Sequence, residues 1–425
     1  MTHPCEPSGL AVDTWQRASL ELDPVLTELE VLVAREEPRI HALVAEESRF
    51  DRLREEIAHS FIGPLTRVPV GIKDIIHVEG LKTRAGSQLP VSELAGEEAE
   101  SVTVLKRAGA VILGKTVSTE FAYFAPGPTR NPHNPDHTPG GSSSGSAAAV
   151  AAGYCPLALG TQTIGSISRP ASFCGVVGYK PTYGRLSLAG VIPLSPSLDH
   201  LGLFANSVLD ATTAASVLCG DWGPVDSDHR PVLGIPRGPF LEKATRVGLD
   251  QFRAVCSRLQ SQDWDVRSVD LFDDFTEIEA RHQLIMAAEV ARVHQDWFAR
   301  FGELYHPRTR EIIERGMDIS ETRLAAALEE RLGFQERLEE VTDRAGIDLW
   351  LSPSAPGPAP EGLASTGDPV MNLPWTQAGV PTLSLPAGGT ANGLPMGLQV
   401  AGRSSTDEDL LGWCQDLEQA LDRRR

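Results

Sequence analysis

The feature that most constrains this chain is a run of glycines and serines that passes directly into an alanine-rich segment, TPGGSSSGSAAAVAAG at 138–153. Alanine favours helix, so the glycines and serines are predicted to stand at the entrance of a buried helix, where backbone N–H groups converge. A flexible Gly/Ser linker is the alternative, although linkers do not usually run straight into a buried helix. A phosphate-binding loop is excluded, because its pattern requires lysine after the last glycine, and here Ser146 follows Gly145.

Helical patterns and short β-type runs alternate along the 425 residues, which indicates an α/β fold. Apolar residues stand at helical spacing among charges in the N-terminal segment, about 1–60, and in a second block, about 247–346. Between these blocks lie β-type runs at 67–78 and 110–116, and after them the segments 349–360 and 373–389 mix short strands with turns. We therefore predict a single α/β domain over residues 1–425, decorated by helices.

The charge balance argues against anionic partners. Lys and Arg number 38 against 57 Asp and Glu, for a net charge of −19. Such a chain repels phosphate backbones and anionic membranes, so we expect neither nucleic acid nor a membrane as a partner. The N-terminus lacks the basic start and apolar core of a secretory signal, which predicts a cytoplasmic protein.

Ser166 is a candidate nucleophile. It follows Gly165 within a run of small residues, where successive backbone N–H groups could face a developing oxyanion. Its flanks do not match the GxSxG elbow of α/β hydrolases, so a histidine triad is not indicated. On composition alone, a serine in such a position is more often only a turn residue.

Lys73 is a candidate base. It ends the apolar run VPVGIK, which would draw its ammonium group towards the interior. Desolvation removes the charge of lysine, and Ser–Lys pairs are a variant of triad chemistry. The alternative is a lysine that reaches solvent and pairs with Asp74.

Together with these residues, several further segments resemble the amidase signature family, and the resemblance covers nearly the whole chain. Ser142 and Ser166 are 24 residues apart, as in that family. The matching segments occur in the family's order: GIKD at 71–74, GPTRNPHNPDHTPGGSSSGSAAAVAAG at 127–153, GTQTIGSISRPASFCGVVGYKPTYGRLS at 160–187, SLDHLG at 197–202, NLPWTQAGVPTLSLPAG at 372–388 and LPMGLQVAG at 394–402.

The resemblance implies an α/β fold built on one large, twisted, mixed β-sheet with helices on both faces. It implies that Ser166 is the nucleophile and that Ser142, held by a cis peptide, relays its proton to neutral Lys73. Ser143 and Gln162 would lie beside these serines and help to hold them in place. The backbone N–H groups of four consecutive residues would form the oxyanion hole: Thr163, Ile164, Gly165 and Ser166.

The loop around the nucleophile departs from the family, which commonly has GTDTGGSIR where this chain has GTQTIGSIS. Gln162 replaces an aspartate and is expected to hydrogen-bond the serine network without a charge. Ile164 replaces a glycine, which requires a negative φ at that position. Ser168 replaces an arginine, and we expect Arg169 to compensate as an anchor for a substrate carboxylate.

The resemblance implies hydrolysis of a carboxylic amide through a serine acyl-enzyme, with ester or carbamate cleavage as a possible side activity. We expect no metal and no cofactor, a small-molecule amide as the partner, and a possible homodimer. The alternative is the glutamine-hydrolysing A subunit of a tRNA-dependent amidotransferase, which the altered loop and the acidic chain make less favourable. An inactive binding scaffold is a third reading.

The substrate pocket is expected to take its walls from segments that vary in the family, here 120–124, the block 247–346 and the loop 354–375. Phe121 and Tyr123 are the candidates for substrate contact. An apolar pocket is suggested by the aromatic residues of these segments: Phe121, Tyr123, Phe124, Trp297, Trp350 and Trp375.

Overall fold

The short apolar runs of the sequence become strands of one mixed β-sheet in the computed structural model, which describes residues 11–17, 22–225 and 229–421. Along the sheet the ten strands lie in the order β2-β1-β3-β5-β4-β9-β10-β8-β6-β7. Their bounds are β1 Pro69–Lys73, β2 Val111–Thr116, β3 Leu157–Gln162, β4 Val177–Lys180, β5 His200–Ala205, β6 Leu233–Arg237, β7 Val266–Asp270, β8 Leu349–Pro353, β9 Thr382–Gly389 and β10 Pro395–Ala401. That the whole chain forms a single domain stays a prediction.

The two ends of the sheet are parallel and its middle is antiparallel. Strands β2, β1 and β3 run parallel, as do β8, β6 and β7, whereas every pair from β3 to β8 across the centre is antiparallel. All residues of β1, β2, β3 and β5 are buried. Because successive residues of a strand face opposite sides, the sheet is covered on both faces, which confirms the predicted α/β fold.

Helices supply this cover. Three of them lie in the N-terminal segment of about residues 1–60, where helices were expected; residues 41–48 are not helical, and residues 1–10 and 18–21 lie outside the described residues. The α-helices are α1 Val12–Arg17, α2 Leu22–Ile40, α3 Arg49–Ala58, α4 Glu100–Arg107, α5 Ser144–Ala151, α6 Ser168–Cys174, α7 Val208–Leu218, α8 Arg246–Ser261, α9 Phe275–Val293, α10 Gln295–Phe301, α11 Pro307–Met317, α12 Glu321–Ala345, α13 Leu373–Ala378 and α14 Asp407–Leu421. Short 3-10 turns occur at Val91–Leu94, Glu120–Ala122, Leu241–Lys243 and Gly302–Leu304.

The block 247–346 is not wholly helical, which corrects the expectation for it. Strand β7 lies inside the block and pairs in parallel with β6 at one edge of the sheet. Its residues are only half-buried or exposed, because an edge strand has a neighbour on one side alone. Because β7 contains charged residues, its sequence lacks the apolar run by which a central strand is predicted.

Within that block, α9 and α11 pack at very close range. Gly316 of α11 lies where a Cβ atom would stand 1.9 Å from the carbonyl oxygen of Ala287 in α9. Since real Cβ atoms do not approach an oxygen so closely, the contact requires glycine at this position. Gly333 of α12 differs, because the nearest atom to its Cβ would be the flexible Arg337 Nη1 at 3.3 Å.

The strand directions bring polar residues together at one end of neighbouring strands. β1 and β3 are parallel neighbours, so Lys73 and Gln162, at their C-terminal ends, lie on the same side of the sheet's length. β5 runs antiparallel to β3 and begins with His200 opposite Gln162, so the preceding Asp199 also lies at these strand ends. In the described part of the chain, no helix has the length and apolar character that crossing a membrane takes.

Candidate active site

Lys73 is fully buried at the end of β1. Its Nζ donates hydrogen bonds to Ser142 Oγ at 2.8 Å and to Thr161 Oγ1 at 2.7 Å. Burial lowers the pKa of Lys73 well below its ordinary value, and the carboxylate of Asp199 opposes this shift. The site therefore favours a neutral amine in hydrogen-bond contact with a serine.

Asp74 does not act as the partner of Lys73, which was the alternative interpretation. Its carboxylate pairs with Lys115 Nζ at 3.0 Å and accepts hydrogen bonds from the backbone N–H of Arg84 at 3.2 and 3.3 Å. Burial raises the pKa of Asp74 and lowers the pKa of Lys115. Asp74 is thus paired with Lys115, whereas Lys73 hydrogen-bonds to Ser142.

The Gly/Ser segment enters a buried helix as predicted, with α5 beginning at Ser144. The peptide bond before Ser142 is cis, and Ser142 itself is buried. Ser143 Oγ donates to the carbonyl oxygen of Thr161 at 3.2 Å and accepts from its N–H at 3.3 Å, which joins the loop to β3. At Gly145 a Cβ would lie 2.2 Å from the carbonyl oxygen of Ala42, so only glycine allows the helix to enter here.

Ser166 lies between the end of β3 and the start of α6 and is 8% exposed. One cavity is lined by Ser142, Ser166 and the loop residues Thr163, Ile164 and Gly165. It thus brings together the candidate nucleophile, the candidate relay serine and the loop expected to form the oxyanion hole. The volume of this cavity is about 10 Å³, which is room for about one water molecule.

The two residues before Ser166 fit the loop for different reasons. Ile164 is not among the residues with positive φ, so its β-branched side chain is accommodated as expected. Gly165 faces Asn372, whose Oδ1 would lie 2.2 Å from a Cβ at this position. Glycine is therefore required next to the nucleophile because a neighbouring side chain approaches it closely.

Gln162 holds the loop after the nucleophile rather than the serines expected. Its Oε1 accepts hydrogen bonds from the backbone N–H groups of Ile167 at 2.8 Å and Ser168 at 2.9 Å. Its Nε2 donates to Thr376 Oγ1 at 2.9 Å, and that hydroxyl donates to the carbonyl oxygen of Ile164 at 2.6 Å. An uncharged amide suits this role because it must both accept and donate.

Thr376 was not singled out in the sequence, although it lies in the matching segment NLPWTQAGVP. Its hydroxyl fixes the direction of the Ile164 carbonyl. In a trans peptide the carbonyl and the following N–H point in opposite directions, so this bond also fixes the N–H of Gly165. Thr376 therefore positions one donor of the expected oxyanion hole.

Arg169 links two loops through hydrogen bonds, whereas it was expected to bind a carboxylate of the substrate. It borders the Ser166 cavity but is only 2% exposed. Its Nη2 donates to the carbonyl oxygen of Gly141 at 2.6 Å and to Thr366 Oγ1 at 3.2 Å, and its Nη1 donates to the carbonyl oxygen of Gly367 at 2.7 Å. Both terminal nitrogens thus link the peptide before Ser142 to the loop at 366–367.

Asp199 is a second residue that the sequence reasoning left without a role, although it stands in the matching segment SLDHLG. Its Oδ1 accepts from Thr163 Oγ1 at 2.5 Å, and its Oδ2 accepts from the N–H groups of Leu194 at 2.8 Å and Ser195 at 3.0 Å. Burial raises the pKa of Asp199 to about 6, while these hydrogen bonds favour the ionised form. The carboxylate holds the loop at Thr163 and lies close enough to influence Lys73.

Tyr123 borders the Ser166 cavity, together with Phe124, Met286 of α9 and Pro369, and its contact with the substrate stays a prediction. Phe121 does not line it. The ring of Phe121 is fully buried and packs at a centroid distance of 4.6 Å from His294, with Trp297 and Tyr305 also adjacent.

Two tryptophans assigned to the pocket also belong to the protein interior. Trp350 and Trp375 are buried, and their ring centroids lie 6.4 Å apart. Trp350 Nε1 donates to Thr342 Oγ1 at 3.0 Å, away from the Ser166 cavity. The loop 354–375 contributes to that cavity through Pro369 instead.

These groups suit acyl transfer: a buried amine bound to one serine, a second serine in the same cavity, and a loop of successive backbone N–H groups beside it. A family model described as Amidase matches residues 41–411. The chain belongs to the amidase family.

Relatives of this amidase-family chain carry two descriptions. The A subunit of glutamyl-tRNA(Gln) amidotransferase from Synechococcus sp. (strain WH7803) is 34% identical over 450 aligned positions, which cover 91% of each chain. The protein of the same name from Trichlorobacter lovleyi is 34% identical over 422 positions, covering 86% of each. A crystal structure described as an amidase is 33% identical, with a TM-score of 0.85, over 96% of this chain and 100% of that chain.

The names of these relatives overturn the expected partners. We expected no nucleic acid, a small-molecule amide and a possible homodimer, whereas the relatives are named as one component of a glutamyl-tRNA amidotransferase. The exclusion of nucleic acid was wrong because it rested on the net charge of this chain. The charge of one chain does not report what a complex containing its relatives acts on.

Proposed function

We propose that this amidase-family chain cleaves the C–N bond of a carboxylic amide through an acyl-enzyme on Ser166. The observation that carries the proposal is the hydrogen bond from buried Lys73 to Ser142, which lines the same cavity as Ser166. Ser142 would then pass the proton from the nucleophile to the base. A lysine that is neutral because it is buried can accept a proton that a solvated lysine could not.

In this mechanism the Ser166 hydroxyl attacks the carbonyl carbon, its proton passes to Ser142, and the Ser142 proton passes to Lys73 Nζ. The backbone N–H groups of residues 163–166 stabilise the negative charge that develops on the carbonyl oxygen. When the C–N bond breaks, the nitrogen takes a proton from Ser142, which Lys73 replaces. Water then attacks the acyl-enzyme by the same relay and releases the acid, so no proton is gained or lost overall.

The relatives support a specific setting for this reaction. Their name favours the second reading, a glutamine-hydrolysing A subunit of a tRNA-dependent amidotransferase, over the free-standing amidase that the sequence favoured. In that setting the ammonia released at Ser166 is used by a partner protein. A cytoplasmic location stays a prediction.

The test of the chemistry is Ser166→Ala. We expect kcat to fall roughly 10³-fold or more on any amide that the chain hydrolyses, and a fluorophosphonate to label the wild-type chain at Ser166 but not the variant. Label on Ser142 alone would reverse the two serine roles. Near-normal turnover by the variant would refute the proposal.

The test of the setting is purification of the full chain from its own cells under mild conditions. A component of an amidotransferase should be recovered with partner proteins, and glutamyl-tRNA should raise its glutamine hydrolysis. Recovery of an active chain with no other polypeptide would favour the free-standing enzyme. A chain inactive in both settings and resistant to the label would support the scaffold reading.

A further inference from the structure

One face of helix α9 packs against the candidate active site. His282, Met286 and Glu289 are spaced by four and three residues, so they lie on the same side of this helix, and all three are buried. Met286 lines the Ser166 cavity. Glu289 lies one helical turn beyond Met286 and contacts the chain at residues 195–197.

The carboxylate of Glu289 is hydrogen-bonded to two serines of this turn. Its Oε2 accepts from Ser195 Oγ at 2.5 Å and from the backbone N–H of Ser197 at 3.0 Å, and its Oε1 accepts from Ser197 Oγ. A buried carboxylate is tolerated only where hydrogen bonds replace its hydration. Helix α9 and the turn at 195–197 are therefore bound to each other through Glu289.

Ser195 joins Glu289 to Asp199. Its hydroxyl donates to Glu289, while its backbone N–H donates to Asp199 Oδ2 at 3.0 Å. Its carbonyl oxygen accepts from the backbone N–H of Asp199 at 2.8 Å. The side chain and the main chain of Asp199 are thus both bonded to a serine whose own side chain is fixed by α9.

The other carboxylate oxygen of Asp199 reaches the expected oxyanion loop, residues 163–166. Thr163 Oγ1 donates to Asp199 Oδ1 at 2.5 Å, and the backbone N–H of Thr163 is one of the expected oxyanion donors. The contacts therefore run from Glu289 through Ser195 and Asp199 to Thr163. We propose that Glu289 is a positioning residue, which orients the oxyanion donors beside Ser166 through these contacts.

The inference rests on the proposed amide hydrolysis and concerns how its site is held in place, whatever amide the chain cleaves. A fluorophosphonate is a suitable probe, because Ser166 forms an O–P bond as the P–F bond breaks and fluoride leaves. The P=O oxygen then takes the place of the carbonyl oxygen, so the oxyanion donors accelerate the labelling. The second-order rate constant for labelling is measured on the full chain, with any partner proteins that purify with it.

The first test compares two serines that donate to the same carboxylate. Ser195→Ala removes the hydroxyl that bonds Glu289, and we expect its labelling rate constant to fall at least about tenfold, because misdirected oxyanion donors lose their effect. Ser197→Ala is the matched control. The hydrogen bonds of Ser197 in the described part of the chain go to Glu289 and not to Asp199, so this variant should react at the wild-type rate.

The second test is a double-mutant cycle between Glu289→Gln and Thr163→Val. An amide offers one acceptor oxygen where Glu289 uses two, and valine removes the hydroxyl that bonds Asp199. Each variant alone should lower the rate constant at least about tenfold. Because both changes interrupt one path, the double variant should react about as slowly as Thr163→Val alone, whereas independent effects would multiply.

The outcomes separate this inference from the hydrolysis on which it rests. If the wild-type chain is not labelled at Ser166, the proposed hydrolysis fails and the role of Glu289 fails with it. If the wild type is labelled but Ser195→Ala reacts as fast as Ser197→Ala, the hydrolysis stands and the positioning role is overturned. Multiplied losses in the double variant would overturn it as well, and if Glu289→Gln does not fold, the serine pair decides.

Discussion

At the scale of single residues, the charge on Lys73 decides whether Ser142 can pass on a proton. Burial lowers the pKa of Lys73, so its amine becomes neutral at a lower pH than the ~10.4 typical of lysine in water. We expect kcat/KM to rise with pH along a single-proton limb and to reach a plateau well below pH ~10.4. A pH–rate profile of the full chain measures this directly.

The paired variants of Lys73 test whether the base or only a positive charge is needed. Lys73→Ala should remove the limb together with most of the rate. Lys73→Arg should be as inactive, because a guanidinium keeps its proton throughout the accessible range. Substantial activity of Lys73→Arg with the wild-type profile would show that another group is the base.

Thr376 offers a separate test of the oxyanion loop. Thr376→Val keeps the side-chain shape but frees the Ile164 carbonyl, so the Gly165 N–H loses its fixed direction. Loss of one oxyanion donor costs about 10²–10³-fold in kcat in other enzymes, and misdirection should cost at least about tenfold here with little change in KM. Steady-state kinetics separates the two constants.

Two further variants make the Thr376 result specific. Thr376→Ser should restore most of kcat, because it restores the hydroxyl. Thr342→Val is the matched control, since Thr342 is another buried threonine, which donates to the carbonyl oxygen of Leu338 and does not line the Ser166 cavity. If Thr376→Val retained the same kcat as Thr342→Val, the positioning role would be wrong.

At the scale of elements, the contact of α9 with α11 depends on Gly316. Gly316→Ala would place a Cβ against the carbonyl oxygen of Ala287, so the helices must separate. We expect the free energy of unfolding to fall by about 1–3 kcal/mol, as overpacked cores show. Urea denaturation of both proteins measures the difference.

Gly333→Ala in α12 is the control for the intrinsic effect of removing a helical glycine. Its Cβ would meet only a flexible arginine, so the substitution should raise the free energy of unfolding by up to about 1 kcal/mol. Opposite signs for the two variants are expected. Equal effects would mean that the α9–α11 approach carries no special constraint.

The arrangement of the elements also explains which residues of the site could be predicted from the sequence and which could not. Lys73, Ser142 and Ser166 could be singled out because each stands in a segment that resembles the amidase signature family, and their catalytic roles stay predictions. Thr376 could not, because it meets Gln162 from 214 residues away, and no local pattern records such a contact. Phe121 was misplaced because its φ of 46° occurs without a glycine to signal the turn, so the direction of its ring could not be read.

At the scale of the whole molecule, the free energy of unfolding should depend on pH through Lys180, at the end of β4. It is fully buried, and its Nζ donates to the carbonyl oxygens of Val380 at 2.6 Å and Pro181 at 3.1 Å. Burial lowers the pKa of Lys180 to about 7. Between that pH and about 10 the unfolded chain holds a proton that the folded chain has released, so unfolding takes up a proton.

The free energy of unfolding should therefore gain about 1.4 kcal/mol per pH unit from Lys180 over this window, and nothing below it. Lys180→Met lacks this contribution. We expect the wild-type free energy minus that of the variant to grow by about 2 kcal/mol between about pH 7.5 and about pH 9.5. Denaturant titrations of both proteins at the two pH values measure this change. Lys243→Met, at an exposed lysine, is the control. If the wild-type free energy of unfolding minus that of Lys180→Met were the same at both pH values, the assignment would be contradicted.

The order of the strands also has a consequence for synthesis on the ribosome. The hairpin of β9 and β10 lies between β4 and β8 and so joins the first five strands of the sheet to the group formed by β8, β6 and β7. A growing chain exposes Lys73, Ser142 and Ser166 early, yet these two groups of strands stay unlinked until residue 401 has emerged. A premature stop shortly before the hairpin thus removes the middle of the finished sheet rather than its edge, and the nascent protein must wait for its last strands before its two groups of strands are joined.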